Sequence, residues 1–166
     1  MTVRARIALT IFVTGLLTAM AVIATVAVAF QRLERETTFE RWVAQIKVSH
    51  GIVTIQRDHK SLPGELGKRL KENDIIVTGS NSSVGMTFDD NSMLSLGPNS
   101  EVFLKRYSYD PTTYMGAFDA LVTRGTVSVT TGNMVTQSAE AMRVMTPEAE
   151  LQAGKPGSFA ISVEGR

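Results

Sequence analysis

The side chains best suited to chemistry in this sequence are few and scattered. His50 and His59 have no neighbour at a metal-ligand spacing, so both read as surface or strand-end residues. Asp89-Asp90 pairs two carboxylates, but adjacent acids inside Asp-Asp-Asn-Ser are turn formers more often than an acid–base couple. No glycine-rich phosphate loop precedes a helix, and no Ser-His-Asp arrangement is visible. With no cysteine anywhere, thiolate chemistry, disulfides and Cys-based metal sites are excluded. The expectation is a protein without catalytic, cofactor-binding or metal residues. Lys68-Arg69-Lys71 reads as a solvated face, with an acidic partner as the alternative.

Three groups of residues are better suited to contact than to catalysis. Tyr107, Tyr109, Tyr114 and Phe118 fall within one aromatic stretch that is expected to be a loop between strands. Aromatics on a loop serve as interface anchors, or they cap the open end of a β core. Gly15 and Ala19, then Ala21, Thr25 and Ala29, repeat small residues at i, i+4, the spacing that lets membrane helices approach closely. Phe39, Trp42, Val43 and Ile46 recur at i, i+3, i+4, i+7 and predict one apolar face of a helical connector. That face would pack on the following domain, lie at the membrane interface or bind another subunit.

The elements that would position these groups follow from composition. From Ile7 to Phe30 there is no charge, Asn, Gln or Pro. At 1.5 Å per residue such a helix reaches about 36 Å, enough for a hydrocarbon core of about 30 Å. Arg4 and Arg6 precede the run, which orients the amino terminus to the cytoplasm and exports the rest. The run is too long for a typical signal-peptide core, although Ala27-Val28-Ala29 fits a cleavage site before Phe30 and a secreted form is the alternative. Residues 31–166 carry 15 Lys/Arg against 16 Asp/Glu, a balance that does not suggest nucleic acid.

The expected organisation is a cytoplasmic tip at 1–6, a transmembrane anchor at 7–30, a helical connector at 31–48 and a β domain at 49–166. Short alternating runs over 51–56, 74–78, 84–88, 93–96, 101–107, 120–129, 142–146 and 158–163 are separated by Gly, Pro, Asn and Asp turns. They predict an all-β sandwich, roll or solenoid-like stack. Met86–Phe88 against Met93–Leu96, across Asp89–Ser92, is the best hairpin. Helical periodicity is absent from this half apart from a turn within 138–142.

The order of motifs in this half resembles the FecR periplasmic domain of bacterial iron-dicitrate signalling. A Gly-x-Val strand matches Gly51-Ile52-Val53, and a Gly-Asp step with Ile-x-Thr-Gly matches Asn73-Asp74-Ile75-Ile76-Val77-Thr78-Gly79. The Phe-x-Asp-Gly-Ser-x-Leu-x-Leu-x-Pro-x-Ser stretch matches Phe88 to Ser100, and Leu-x-x-Tyr matches Leu104 to Tyr107. Leu121, Gly125 and Val127 follow, then Val144-Met145-Thr146-Pro147-Glu148-Ala149. Two family glycines are replaced by Asn73 and Asn91, mild changes because Asn tolerates a left-handed backbone. The closing Gly-Val-Arg-Gly-Thr is replaced by a different run, Gln152 to Phe159, a change that either removes a site at that corner or reshapes a turn.

The resemblance implies an envelope protein. Its signalling members carry a cytoplasmic anti-sigma domain, whereas only Met1–Arg6 is expected on that side here. The expectation is therefore a single-pass protein of the bacterial inner membrane with a periplasmic β domain. It would be a non-catalytic binding or scaffolding subunit, held in the lipid bilayer and acting on protein partners in a membrane complex. The alternative is a sensor that relays an envelope signal through a partner's transmembrane helix.

Overall fold

Alternating apolar residues become twelve strands in the computed structural model, which describes residues 41–164. In chain order they are β1 (Trp42–His50), β2 (Val53–Arg57), β3 (Lys60–Pro63), β4 (Arg69–Lys71), β5 (Ile75–Thr78) and β6 (Ser83–Phe88). There follow β7 (Met93–Leu96), β8 (Glu101–Tyr109), β9 (Gly116–Thr130), β10 (Met142–Met145), β11 (Glu150–Gln152) and β12 (Ser158–Val163). A single helical turn, α1 (Met134–Gln137), lies between β9 and β10 and buries Met134 and Val135.

The strands form two sheets that share β9. One runs β12–β9–β7–β6–β1–β4 and the other β3–β2–β5–β8–β9–β10–β11. All pairs are antiparallel except β9 with β10. This curled arrangement is the roll form of the expected all-β domain. Strands distant in sequence pair antiparallel, which replaces the repeat-on-repeat order of a solenoid.

The crossing point is Gly125. Before it, β9 pairs with β8 and β10; after it, with β7 and β12. Its φ of +85° is costly for any side chain, and a Cβ there would stand 2.3 Å from Ser100 Oγ and 2.5 Å from Ser100 Cα. The strand bends here because glycine permits both the left-handed backbone and the close approach.

One core draws on both sheets. Val43, Ile46, Met86 and Leu94 from the first meet Ile55, Ile76, Leu104 and Val144 from the second. Phe88, Tyr107 and Phe118 form an aromatic cluster within it, with ring centroids 4.6–5.8 Å apart. The hairpin between β6 and β7 forms in the expected register, Val84 opposite Leu96 and Met86 opposite Leu94.

The connector expectation is corrected from residue 42 onward. Trp42, Val43 and Ile46 lie on strand β1, not on a helix. β1 is interior to its sheet, with β4 on one edge and β6 on the other, and its register shifts between Ile46 and Val48. Consecutive burial at Val43 and Ala44, followed by Ile46, imitates a helical stripe, and pairing on both edges decides for strand. Phe39, and the run Ile7–Phe30 with Gly15, Ala19, Ala21, Thr25 and Ala29, lie outside the described residues. Among the described residues no helix is long and apolar enough to cross a membrane.

Candidate protein-contact surface

Six polar residues of the quoted motifs, Asp74, Thr78, Asp90, Ser92, Ser100 and Tyr107, are inside, while Asn73, Asp89, Asn91, Ser95, Asn99 and Glu148 are exposed. Asp74 is fully buried, and Arg57 grips it through Nε at 2.7 Å and Nη2 at 2.6 Å, while the Lys71 N–H donates to Oδ2 at 2.8 Å. Arg57 Nη2 also donates to the Arg69 carbonyl, so one ion pair ties β2, β4 and the start of β5 together. Trp42 lies against this pair, with the Arg57 guanidinium 5.3 Å and the Lys71 ammonium 4.8 Å from its ring centre. Lys68-Arg69-Lys71 is therefore partly a strand: Leu70 is buried and Lys71 half-buried, with Arg69 exposed.

A second knot closes the β6–β7 turn. Asp90 accepts from the Ser92 N–H at 3.1 Å, the Ser92 hydroxyl at 2.6 Å and the Tyr107 hydroxyl at 3.1 Å. The Asp90 N–H in turn donates to the Tyr107 oxygen at 2.9 Å. Burial, then the Asp90 carboxylate, pushes the Tyr107 phenol well above the usual tyrosine range, so it keeps its proton. Asp89 is the more exposed of the two acids, yet partial burial, and then the Asp90 carboxylate against the pull of Arg41, raise its carboxyl above the usual carboxylate range. A third knot joins Thr78, whose hydroxyl donates to the Gly97 carbonyl at 2.7 Å, to Ser100, whose N–H donates to that hydroxyl at 2.9 Å. Asn73 and Asn91 stand at φ +69° and +64°, the left-handed backbone their glycine counterparts would take.

The aromatic stretch divides. Tyr107 and Phe118 are core residues on β8 and β9, and neither belongs to a loop or to a binding patch. Chain alternation explains this: both strands extend past the expected ends, and pairing of Tyr107 with Phe118 zips the stretch shut. What remains outside is the tip. Asp110 folds the turn by accepting from the Thr112 N–H at 2.8 Å and the Thr113 hydroxyl at 3.0 Å, contacts that hold its carboxyl below the usual carboxylate range. Tyr114 follows at φ +57°, a conformation that costs a bulky residue energy and draws attention to function.

Tyr114 is 44% and Met115 67% exposed, and the Tyr109 and Tyr114 rings lie 6.5 Å apart. Beside them is a shallow cleft of about 390 Å³ walled by Arg41, Tyr109, Asp110 and Met115. Arg41 Nη2 donates to the Tyr109 carbonyl at 3.4 Å. This tip offers an aromatic pair, a flexible thioether and one guanidinium, which suits a protein surface. It holds no pair of titratable groups arranged for proton transfer.

Elsewhere, His50 and His59 are exposed, His59 in the tight β2–β3 turn at φ +61°. Among the described residues no group of three or more His, Cys, Asp or Glu could hold a metal. Sequence reasoning missed Met115 and Arg41 as tip residues, because the closed β8–β9 hairpin sets Met115 beside Tyr109 and only the tertiary fold brings Arg41, just before β1, to the same place. It also missed an ion-pair ladder in which Asp119 receives Arg106 and Arg143 at 2.8 Å each.

The family model described as FecR protein matches residues 74–166 and so begins at buried Asp74. The chain belongs to the FecR protein family. The FecR family is regulatory and non-enzymatic, typically envelope-associated, with a periplasmic signal-sensing role. The Gly51-Ile52-Val53 strand lies before the matched span. No curated protein and no solved structure matched the chain. In this FecR-family domain the signature residues Asp74, Thr78, Asp90, Ser92, Ser100 and Tyr107 are buried and hold the strands and turns together.

Proposed function

We propose that this chain is a non-catalytic binding subunit of the bacterial envelope, anchored in the inner membrane through residues 7–30, whose β domain works by protein–protein contact. The exposure of Tyr114 and Met115 on a turn that holds Tyr114 left-handed carries this reading. A tyrosine stays in such a conformation only where the surrounding turn enforces it, and exposed aromatics rank high among interface anchors. The six buried polar residues of the family signature support it too, because their hydrogen bonds are taken up within the fold.

Co-purification of the full chain in mild detergent, followed by mass spectrometry, tests the reading. Tyr114→Ala and Met115→Ala are expected to reduce recovery of a stoichiometric partner at least about tenfold, the loss of one hot-spot residue. Unchanged recovery with both substitutions in a folded protein would remove the tip from the proposal. The regulatory character of the FecR family favours a second reading, a sensor that relays through a partner's transmembrane helix. In that case Gly15→Leu or Ala19→Leu, at normal expression, breaks the association instead.

A further inference from the structure

Four strands end the two sheets among the described residues, and three of them are blunted. β3 is four residues long, with Lys60 at one end and Pro63 at the other. β4 is three residues with Arg69 and Lys71 at its ends, and β11 is three residues beginning at Glu150. Short length, charge and proline are the usual protections against pairing with a foreign strand. β12 has none of them. Its six residues, Ser-Phe-Ala-Ile-Ser-Val, contain no charge, proline or glycine, and β9 is the one described strand it pairs with.

The main-chain phase of β12 is fixed by the Thr131 N–H, which donates to the Gly157 carbonyl at 3.0 Å. In the observed antiparallel register, Phe159, Ile161 and Val163 therefore bond to β9. The N–H and C=O groups of Ser158, Ala160 and Ser162 point the other way. On the core side of that open edge lies a cleft of about 670 Å³, walled by Ala149, Leu151, Ile161 and Val163, with Glu148 and Glu164 on its rim. Leu151 is 40% exposed there. An additional strand would satisfy the edge and drop alternate side chains into the cleft.

We infer that a second copy of this chain supplies that strand, its β12 antiparallel to the first about a two-fold axis at Ala160. The pattern is self-complementary, as a two-fold seam requires. With Ala160 opposite its own counterpart, Ser158 meets Ser162 on the exposed face and Phe159 meets Ile161 on the core face. Charge agrees: Lys155 stands three residues before the strand and Glu164 directly after it, so each Glu164 comes beside the Pro156–Lys155 corner of the other copy. The inference rests on the reading of this domain as a protein-contact module. Two copies held in one membrane would meet at high effective concentration, so a seam of modest area suffices.

The test uses the full chain in membranes, with p-benzoylphenylalanine in place of Ser162 and irradiation before electrophoresis. The expected product runs at twice the 18.0 kDa chain mass, and Ala160→Pro, which removes an outward N–H that β9 does not use, should reduce it at least about fivefold. Ser162 in the Ala160→Pro chain and Thr112 in the unaltered chain serve as probe positions for comparison, and an unchanged thermal melt shows that the edge alone was altered. A product at another mass assigns the edge to a different protein and overturns the second-copy assignment. So does no product above the Thr112 level. Partner recovery from the same membranes separates the two readings: a monomer that still brings down a partner overturns the seam and leaves the proposed function standing.

Discussion

Tyr107→Phe isolates the hydroxyl that closes the β6–β7 turn. The ring stays, so packing against Phe88 and Phe118 is retained. What is lost is the acceptor for the Asp90 N–H and a donor to the Asp90 carboxylate, both in a site where Asp90 is fully buried. An orphaned buried donor costs about 1–3 kcal/mol and a hydrogen bond to a charged group contributes about 1.5–3 kcal/mol. Because both fall on one residue pair they do not add fully, and a loss of about 3 kcal/mol is expected. For a domain of this size that lowers Tm by about 12 °C.

The pH dependence supplies a second signature. The phenol is raised in the folded state, so its contribution is complete below the unfolded tyrosine pKa of about 10 and is lost as pH rises beyond it. The gap between wild type and variant should narrow by about 1.4 kcal/mol between about pH 9 and pH 11. Urea unfolding of the full chain in mild detergent, followed by the single Trp42 and by circular dichroism, measures both. A loss below about 0.5 kcal/mol at neutral pH, or a gap that widens in alkali, refutes the reasoning. Partner recovery should be untouched by this change in folded protein, since Tyr107 is core.

Gly125→Ala should destabilise the domain by more than about 3 kcal/mol, because a left-handed backbone and an overlap with Ser100 must both be accommodated; a soluble variant with an unchanged urea midpoint would contradict it. Asp119 gives the acid limb. Burial alone would raise its carboxyl, but Arg143 and then Arg106 outweigh burial and hold it below the usual carboxylate range. Its stabilisation is present above the unfolded pKa of about 3.9 and disappears as pH falls through the lower folded value. Asp119→Asn should therefore flatten the loss of stability below about pH 4, and an acid limb as steep as wild type in urea titrations would count against it.

By itself the sequence determined the local and periodic features of this domain. Alternation gave β6, β7, β8, β9 and β12, turn chemistry gave the 86–96 hairpin, and Asn73 and Asn91 occupy the left-handed positions that Asn tolerates. These depend on neighbouring residues and a period of two. Tertiary structure decided what depends on distant pairing. Trp42–His50 is a strand because β4 and β6 flank it. Tyr107 and Phe118 are core because β8 and β9 extend until they meet. The short edge strands β3, β4 and β11 have too few residues to show a period, and only their partners reveal them. The contact residues followed the same division. Tyr109 and Tyr114 were visible as aromatics in the chain, but Arg41 lies far from them in sequence and joined them only once the sheets closed.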